Sequence, residues 1–425
     1  MTSTSPSTAA ASTPAAEAPL TRVFRNVTVH DGRTFLRGMR DVVVTGDTVT
    51  DITPCGRAIV PSGDRVEEIE AKGKTLTPGF IDCHVHFTTE GAGSLTAFTE
   101  PFSLQFYKSV AFMERTLRAG VTTARDAGGS DLGLKTALEQ GYVRGPRTLT
   151  AVSIMSQTGG HGDGFMPSGA HSPMTTPHLG RPDGVADGVD GVRRKAREIL
   201  RAGADHIKIC STGGVLSAAD DPRHSQFTRE EIATIVEECA TQGTYVMSHA
   251  QGTNGIRNAV EAGVRSIEHG IYLDDETIEA MLEKGVWLVP TLQAPRAVIA
   301  GAEAGAALPP ALVEKARMVA EVHVESVAKA HEAGVKIAMG TDAGVGPHGE
   351  NLEEIELMAA VGMTVEQALA AGTGSAAELI GLDGIGRIAP GAIADLVLHA
   401  GDLSDIGVAD LRTGVEAVYQ GGVQV

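Results

Sequence analysis

The chain has 425 residues, more than the roughly 250–300 at which one hydrophobic core stops growing, so a large domain with a smaller companion is expected. With 35 Lys+Arg against 53 Asp+Glu its net charge is -18, which works against binding the phosphate backbone of nucleic acid or an anionic membrane surface. No run approaches the roughly 18 apolar residues of a membrane span, so a small molecule is the expected partner. The four cysteines, Cys55, Cys83, Cys210 and Cys239, are too few for a disulfide scaffold and have no CxxC spacing, which fits a reducing compartment. A cytoplasmic enzyme is expected, as a homo-oligomer.

In chain order, residues 1–20 lack the basic start and long apolar region of a signal peptide, and their Ser/Thr/Ala/Pro bias predicts a disordered tail. Residues 21–77 alternate apolar and polar positions in RVFRNVTVHDGRTF and DVVVTGDTVTDIT, with a turn signal at Gly46-Asp47. From Pro78 the texture changes to a repeated unit of amphipathic helix, glycine and short β-branched run. Examples are ERTLRAGVTTARDAG, REILRAGADHIKIC, RNAVEAGVRSIEHG, EAMLEKGVWLVPTL and AKAHEAGVKIAMGTDAG. Their glycines, Gly120, Gly203, Gly263, Gly285 and Gly334, sit where a helix end takes a left-handed residue.

Adding GFIDCHVH at 79–86, RTLTAVS at 147–153 and TYVMSHAQ at 244–251 gives eight strands, the number that closes a parallel barrel; an open doubly wound sheet is the alternative. After Gly386 the alternating texture returns in IAPGAIADLVLHAGD and VEAVYQGGVQV. The fold expected is therefore α/β: a (β/α)8 TIM barrel over 78–385, flanked by a small β-sandwich split between 21–77 and 386–425. The connection over 155–187 far exceeds the usual length of about 2–6 residues, which suggests an active-site lid.

Six polar residues end these apolar runs: His84 and His86 in FIDCHVHF, Lys208 in HIKIC, His249 in VMSHAQ, His269 in SIEHG and Asp342 in MGTDAG. Side chains alternate along a strand, so His84 and His86 point the same way and reach one ion. Several imidazoles with anionic oxygen suit zinc-type centres, and a closed barrel gathers strands one, four, five, six and eight around one mouth. The set reads as a site for two divalent metal ions, with zinc expected. Cys83 should face away from it, Cys210 should be a small buried filler beside Lys208, and His206 should belong to the core. His161 in TGGHGDG is a candidate polarising group for a carbonyl or oxyanion, and a solvated loop residue is the alternative. His171 and His178 in the same loop are expected in solvent. Gly213 and Gly214 let substrate approach the backbone or simply make a turn, and His348 lines the pocket or belongs to a structural turn.

This pattern, HVH on strand one, lysine on strand four, single histidines on five and six and aspartate on eight, resembles the metal-dependent amidohydrolase superfamily over residues 21–425, with STGGV and GTDAG as further shared phrases. The resemblance implies that His84, His86 and Asp342 hold the more buried metal and His249 and His269 the more exposed one. Lys208, carboxylated by carbon dioxide, would bridge them; a bare ammonium would be repelled by two dications, whereas a carbamate offers two anionic oxygens. Two such ions ionise a bridging water near neutral pH to give hydroxide, and Asp342 is placed to take its proton and pass it to a departing amine.

GGHGDG, STGGVLSAADDP and SHAQGTNGIRNAVEAGVRSIEHG are similar to the bacterial group that cleaves dipeptides and N-acyl amino acids, including Xaa-Pro dipeptidases and ochratoxin-type amidases. Such substrates end in a carboxylate, for which Arg223 and His224 in DDPRHSQF are candidate partners, with surface solvation the favoured reading of each taken alone. A lactonase or esterase would use the same metals. A mononuclear deaminase would not need Lys208 and commonly carries an HxxE acid, whereas His249 continues as Ala250-Gln251-Gly252. A metal-free binding protein on the same fold is the alternative outside enzymes.

Overall fold

The computed structural model describes residues 19–59, 65–91, 99–166, 168–217, 220–306 and 308–425. The tail expected over 1–20 therefore lies, up to residue 18, outside the described residues. The first strands are β1 (Thr21–Val29), β2 (Arg40–Thr45), β3 (Thr48–Pro54), β4 (Val66–Glu70) and β5 (Thr75–Pro78). Gly46, at φ +63°, makes the tight turn between β2 and β3 where the Gly46-Asp47 signal placed it.

The central strands are β6 (Phe80–Val85), β7 (Val121–Asp126), β8 (Arg147–Thr150), β9 (Ile154–Met155), β10 (Ile207–Cys210), β11 (Val246–Ala250), β12 (Ser266–His269) and β13 (Trp287–Val289). They run parallel, paired β6-β7-β8 and β13-β12-β11-β10-β9. Every residue of β6, β7 and β10 to β13 is buried, as a parallel sheet covered on both faces requires. The covering helices include Gly188–Arg201, Arg229–Thr241, Thr253–Ala262 and Pro310–Ala333. Their apolar residues Ile199, Ile235, Val260 and Val327 share one core with Ile207, Ile209, Ile267 and Leu288 of the strands. Gly263, Gly285 and Gly334 end their helices in the left-handed conformation, and Gly120 and Gly203 adopt it one residue further on.

Two of the expected strands depart from regularity. The third stops at Thr150, because Val152 takes φ +62°, and resumes as β9. In place of a continuous eighth strand, residues 337–343 make isolated bridges, Ile337 to Leu288 of β13 and Ala343 to Val85 of β6. The Ala338 N–H donates to Leu288 O at 3.0 Å, Cys83 N–H to Met339 O at 2.9 Å and His86 N–H to Ala343 O at 2.7 Å, so the segment bonds to a strand of each parallel sheet.

The last strands are β14 (Leu396–His399), β15 (Val415–Gln420) and β16 (Val423–Gln424). They pair in the order β16-β15-β14-β5-β1-β2-β3, with β4 alongside β1, so both chain ends enter one eight-stranded sheet. Phe24, Val42 and Leu76 from one end pack with Leu396, Leu398 and Tyr419 from the other. Among the described residues no helix is long and apolar enough to cross a membrane.

Candidate metal centre and active site

His84 and His86 stand at the C-terminal end of β6, and hydrogen bonds behind the rings fix their orientation. His84 Nδ1–H donates to Glu268 Oε2 at 2.8 Å and His86 Nδ1–H to the Gly128 carbonyl at 2.8 Å. Both acceptors are oxygens, so both rings carry the Nδ1 proton and turn Nε2 inward. There the two Nε2 atoms lie 3.6 and 3.3 Å from Asp342 Oδ1. Lys208 Nζ reaches His84 Nε2 at 3.1 Å. His269 Nδ1 meets Thr291 Oγ1 at 2.7 Å, whereas His249 donates from Nε2 to Gly213 O at 3.0 Å, which leaves Nδ1 as its free donor. The His269 ring centre is 5.2 Å from that of His84 and 4.6 Å from that of His249.

The backbone explains how adjacent residues serve one site. His269, Thr291 and Asp342 have φ of +74°, +54° and +59°, a left-handed conformation that non-glycine residues rarely adopt and that clusters at functional sites. Simple alternation ends there. Glu268 can thus buttress His84 while His269, its neighbour, lines the cavity.

Burial holds the His84, His249 and His269 rings well below the ordinary histidine range, so they are neutral lone-pair donors. Burial also lowers Lys208 toward its free amine. Burial alone would raise Asp342, but the electrostatic pull of His84, His86 and Lys208 and the His86 hydrogen bond outweigh it and hold the carboxyl well below its usual range. His86 is raised despite its burial, because Asp342 faces it across the cavity. Its two ring nitrogens both meet acceptors, Gly128 O and Asp342 Oδ1, so the ring needs a cation at Nε2: a second proton or a metal ion. His84, His86 and Asp342 bring donor atoms within 4.8 Å of one another, and two neutral imidazoles with a carboxylate suit a divalent ion. The residues fit a metal.

Behind them lie residues that the sequence reading passed over. Arg125, fully buried, donates from Nε to Cys83 O at 2.6 Å and from Nη2 to Glu268 Oε1 at 3.0 Å, while Glu268 holds His84. Asp82 accepts the His84 N–H at 3.0 Å and the Thr341 hydroxyl at 2.7 Å, which ties β6 to the Asp342 segment. His323 donates from Nε2 to His269 O at 2.9 Å. A charged residue inside a run buried on both faces was the available signal for Arg125 and Glu268; His323, on a helix, gave none.

These groups open into a cavity of about 380 Å³ lined by His84, His86, Lys208, His249, His269 and Asp342, together with His161. The His161 ring stacks on His249 with centres 4.2 Å apart, and its Nδ1 lies 2.8 Å from Ser217 Oγ and 3.5 Å from Asp220 Oδ2. Residues Ser172 to Thr176 of the long connection also line the cavity.

The other candidates fall elsewhere. Gly213 and Gly214 are not on the cavity wall: Gly213 holds His249, and a Cβ on Gly214 would lie 2.2 Å from the His161 ring. Arg223 and His224 are exposed and off the cavity, and the Arg223 guanidinium is bound by Asp221 at 2.7 Å. His348 is also off the cavity, stacked on Phe87 and Phe112 with centres 5.7 and 4.6 Å away, and donates to Thr89 O. His171 is exposed, but His178 packs against Phe102 and Phe106 instead of facing solvent. His206 is buried in the core, stacked on Tyr245, as expected, while Cys210 reaches the cavity wall.

A parallel α/β fold with such a cluster at the strand ends defines a class of hydrolase, and the comparisons give the family. Residues 75–425 match the Amidohydrolase family, and the chain belongs to it. It is a hydrolase acting on amide bonds. Ochratoxinase of Aspergillus niger is 34% identical over 365 residues, 82% of this chain and 75% of that protein. The crystal structure of a prolidase complexed with N-methylphosphonate-L-proline is similar at TM-score 0.86 and 37% identity, covering 95% of this chain and 99% of that one. A Xaa-Pro dipeptidase with bound methionine in the active site is similar at TM-score 0.85 and 32% identity, over 95% and 99% of the two chains.

Proposed function

We propose that this chain is a dinuclear metal-dependent amidohydrolase that cleaves the amide bond of dipeptides or N-acyl amino acids. The observation that carries the reading is the convergence of His84, His86, Lys208, His249, His269 and Asp342 on one cavity, with ring orientations set by outside acceptors. His84, His86 and Asp342 would hold one ion, His249 and His269 the other, and a carboxylated Lys208 both, with zinc the expected metal. Two such ions, when bound, supply an activated water as nucleophile and a Lewis acid for the carbonyl. The lowered Lys208 amine supports the carbamate, since only a neutral amine attacks carbon dioxide.

The chain's own groups do the rest. Asp342 takes the proton that the nucleophile releases and passes it to the amide nitrogen, which leaves only when protonated. His161, with Nδ1 turned to Ser217 and Asp220, has Nε2 left for the substrate carbonyl oxygen. Hydrogen bonds from residues 336–343 to both β6 and β13 support a closed barrel over 78–385, and the mixed sheet supports a split β domain from 21–77 and 386–425.

The substrate class rests on the prolidase and ochratoxinase relatives. A screen of dipeptides and N-acyl amino acids, with parallel lactones and esters and metal measured on the same preparation, tests it. Amide turnover that tracks metal content is expected; esters or lactones as the sole substrates would replace the reading with an esterase.

A further inference from the structure

We propose, resting on the amidohydrolase reading above, that the site recognises the apolar part of its substrate and not a terminal carboxylate, so that amides lacking the carboxylate are cleaved comparably. One side of the cavity is a continuous aliphatic wall: Val215, Leu216, Ile271, Val298, Val319 and Val345 line it and pack into one cluster. Such a surface favours any uncharged apolar group in proportion to the area it covers.

Outside the metal centre no Lys or Arg lines the cavity. Among the described residues Lys208 is the only Lys or Arg on the cavity wall, and it belongs to the metal centre; the segments outside the described residues contain neither residue type. Arg296, on the helix beside the wall, is exposed and off it, and four other cations are engaged. Arg223 is held by Asp221. Lys315 donates to the carbonyls of Gly214 and Ser217, at 3.2 and 2.8 Å. Lys108 is shared by Glu90 and Glu100 at 2.8 Å each, and both of those carboxylates face the mouth. Arg181, fully buried behind the wall, spends its donors on Thr176 O, Gly129 O and Gln105 Oε1.

A substrate carboxylate entering this cavity would meet the hydroxyls of Thr88, Thr89, Ser172, Thr175 and Thr176, the Gln251 amide, and the carboxylates of Glu90 and Glu100. Such uncharged groups only replace the hydrogen bonds that water already gave, and a carboxylate with no Lys or Arg beside it gains little from them on leaving water.

Substrate pairs that differ only by that group test the inference on the unaltered enzyme: a Leu-Pro dipeptide against leucyl-pyrrolidide, and N-acetyl-phenylalanine against N-acetyl-phenethylamine. The decarboxylated member is expected to keep at least a tenth of the kcat/KM of its acid. A preference for the acid above tenfold, about 1.4 kcal/mol, would overturn the inference while leaving the amidohydrolase reading intact. No turnover of any member, nor of any amide in the wider screen, would sink that reading and the inference with it.

Discussion

Glu268 serves two charged neighbours at once: it accepts the His84 ring proton and pairs with Arg125, and all three side chains are buried. In Glu268→Gln the guanidinium loses its counterion and His84 its orienting carboxylate. Breaking a buried pair from one side costs about 3–5 kcal/mol, and losing such an orienting partner weakens metal binding by about 10–100-fold. Denaturant titration and chelator competition on the variant are expected to show both losses together; unchanged metal affinity would remove Glu268 from the centre. Asp342→Asn is expected to lower kcat for amide hydrolysis by about 10³-fold with the circular dichroism unaltered, the size of a lost proton transfer. Near-normal turnover by metal-loaded Asp342→Asn would leave the proton shuttle without support. Gly214→Ala forces the His161 ring from its place, and kcat is expected to fall by about 10–100-fold with metal content constant. At this scale the candidate ligands were legible because each is a lone polar residue closing an apolar run. Arg125 and Glu268 carried only the signal of a charge inside a buried run, and alternation could not place Glu268 beside His84 because it cannot foresee the left-handed turn at His269. Arg223 and His224 are exposed, the solvated alternative for each, and Arg223 is paired with Asp221, two residues away in sequence.

The elements were more legible than their ends. Glycine followed by a β-branched run marks each helix-to-strand passage, since the helix needs a left-handed exit and the strand is covered on both faces. The break in the third strand was hidden because a valine, Val152, takes the left-handed conformation that its side chain disfavours. The length of the 155–187 connection was visible, but which of its residues reach the cavity depends on packing. The mixed sheet carries its own pH response. Burial lowers His399 to about 3, and burial lowers His30 to about 4 against the opposing charge of Asp31. Both rings are neutral in the fold, so between pH 6.5 and about 4 the unfolded chain takes up protons that the folded chain does not. Stability is therefore full above pH 6.5 and falls as pH drops through that window, by about 1.4 kcal/mol per pH unit for each ring. His399→Gln keeps a donor for Thr77 Oγ1, 3.1 Å away, without a titrating group. Urea midpoints between pH 7 and 5 are expected to fall less steeply in this variant than in the parent; an equal slope would exclude His399 as a source.

For the whole molecule, the account depends on distant segments meeting: His84 and Asp342 are 258 positions apart in sequence, yet the Asp342 N–H donates to the His84 carbonyl at 2.7 Å. Parallel strands bring His84, His86, Lys208, His249 and His269 to one cavity, and the bridged segment 337–343 brings Asp342 to it. The apolar wall comes from the loops and helices beyond those termini, which is why substrate preference was the least legible feature of the chain. The most direct test is the metal-to-chain ratio of purified, fully active protein, by elemental mass spectrometry with the amide assay run on the same sample. Two divalent ions per chain, with activity lost as the ratio falls, is the expected result. Full activity at one ion per chain or fewer would contradict the dinuclear centre.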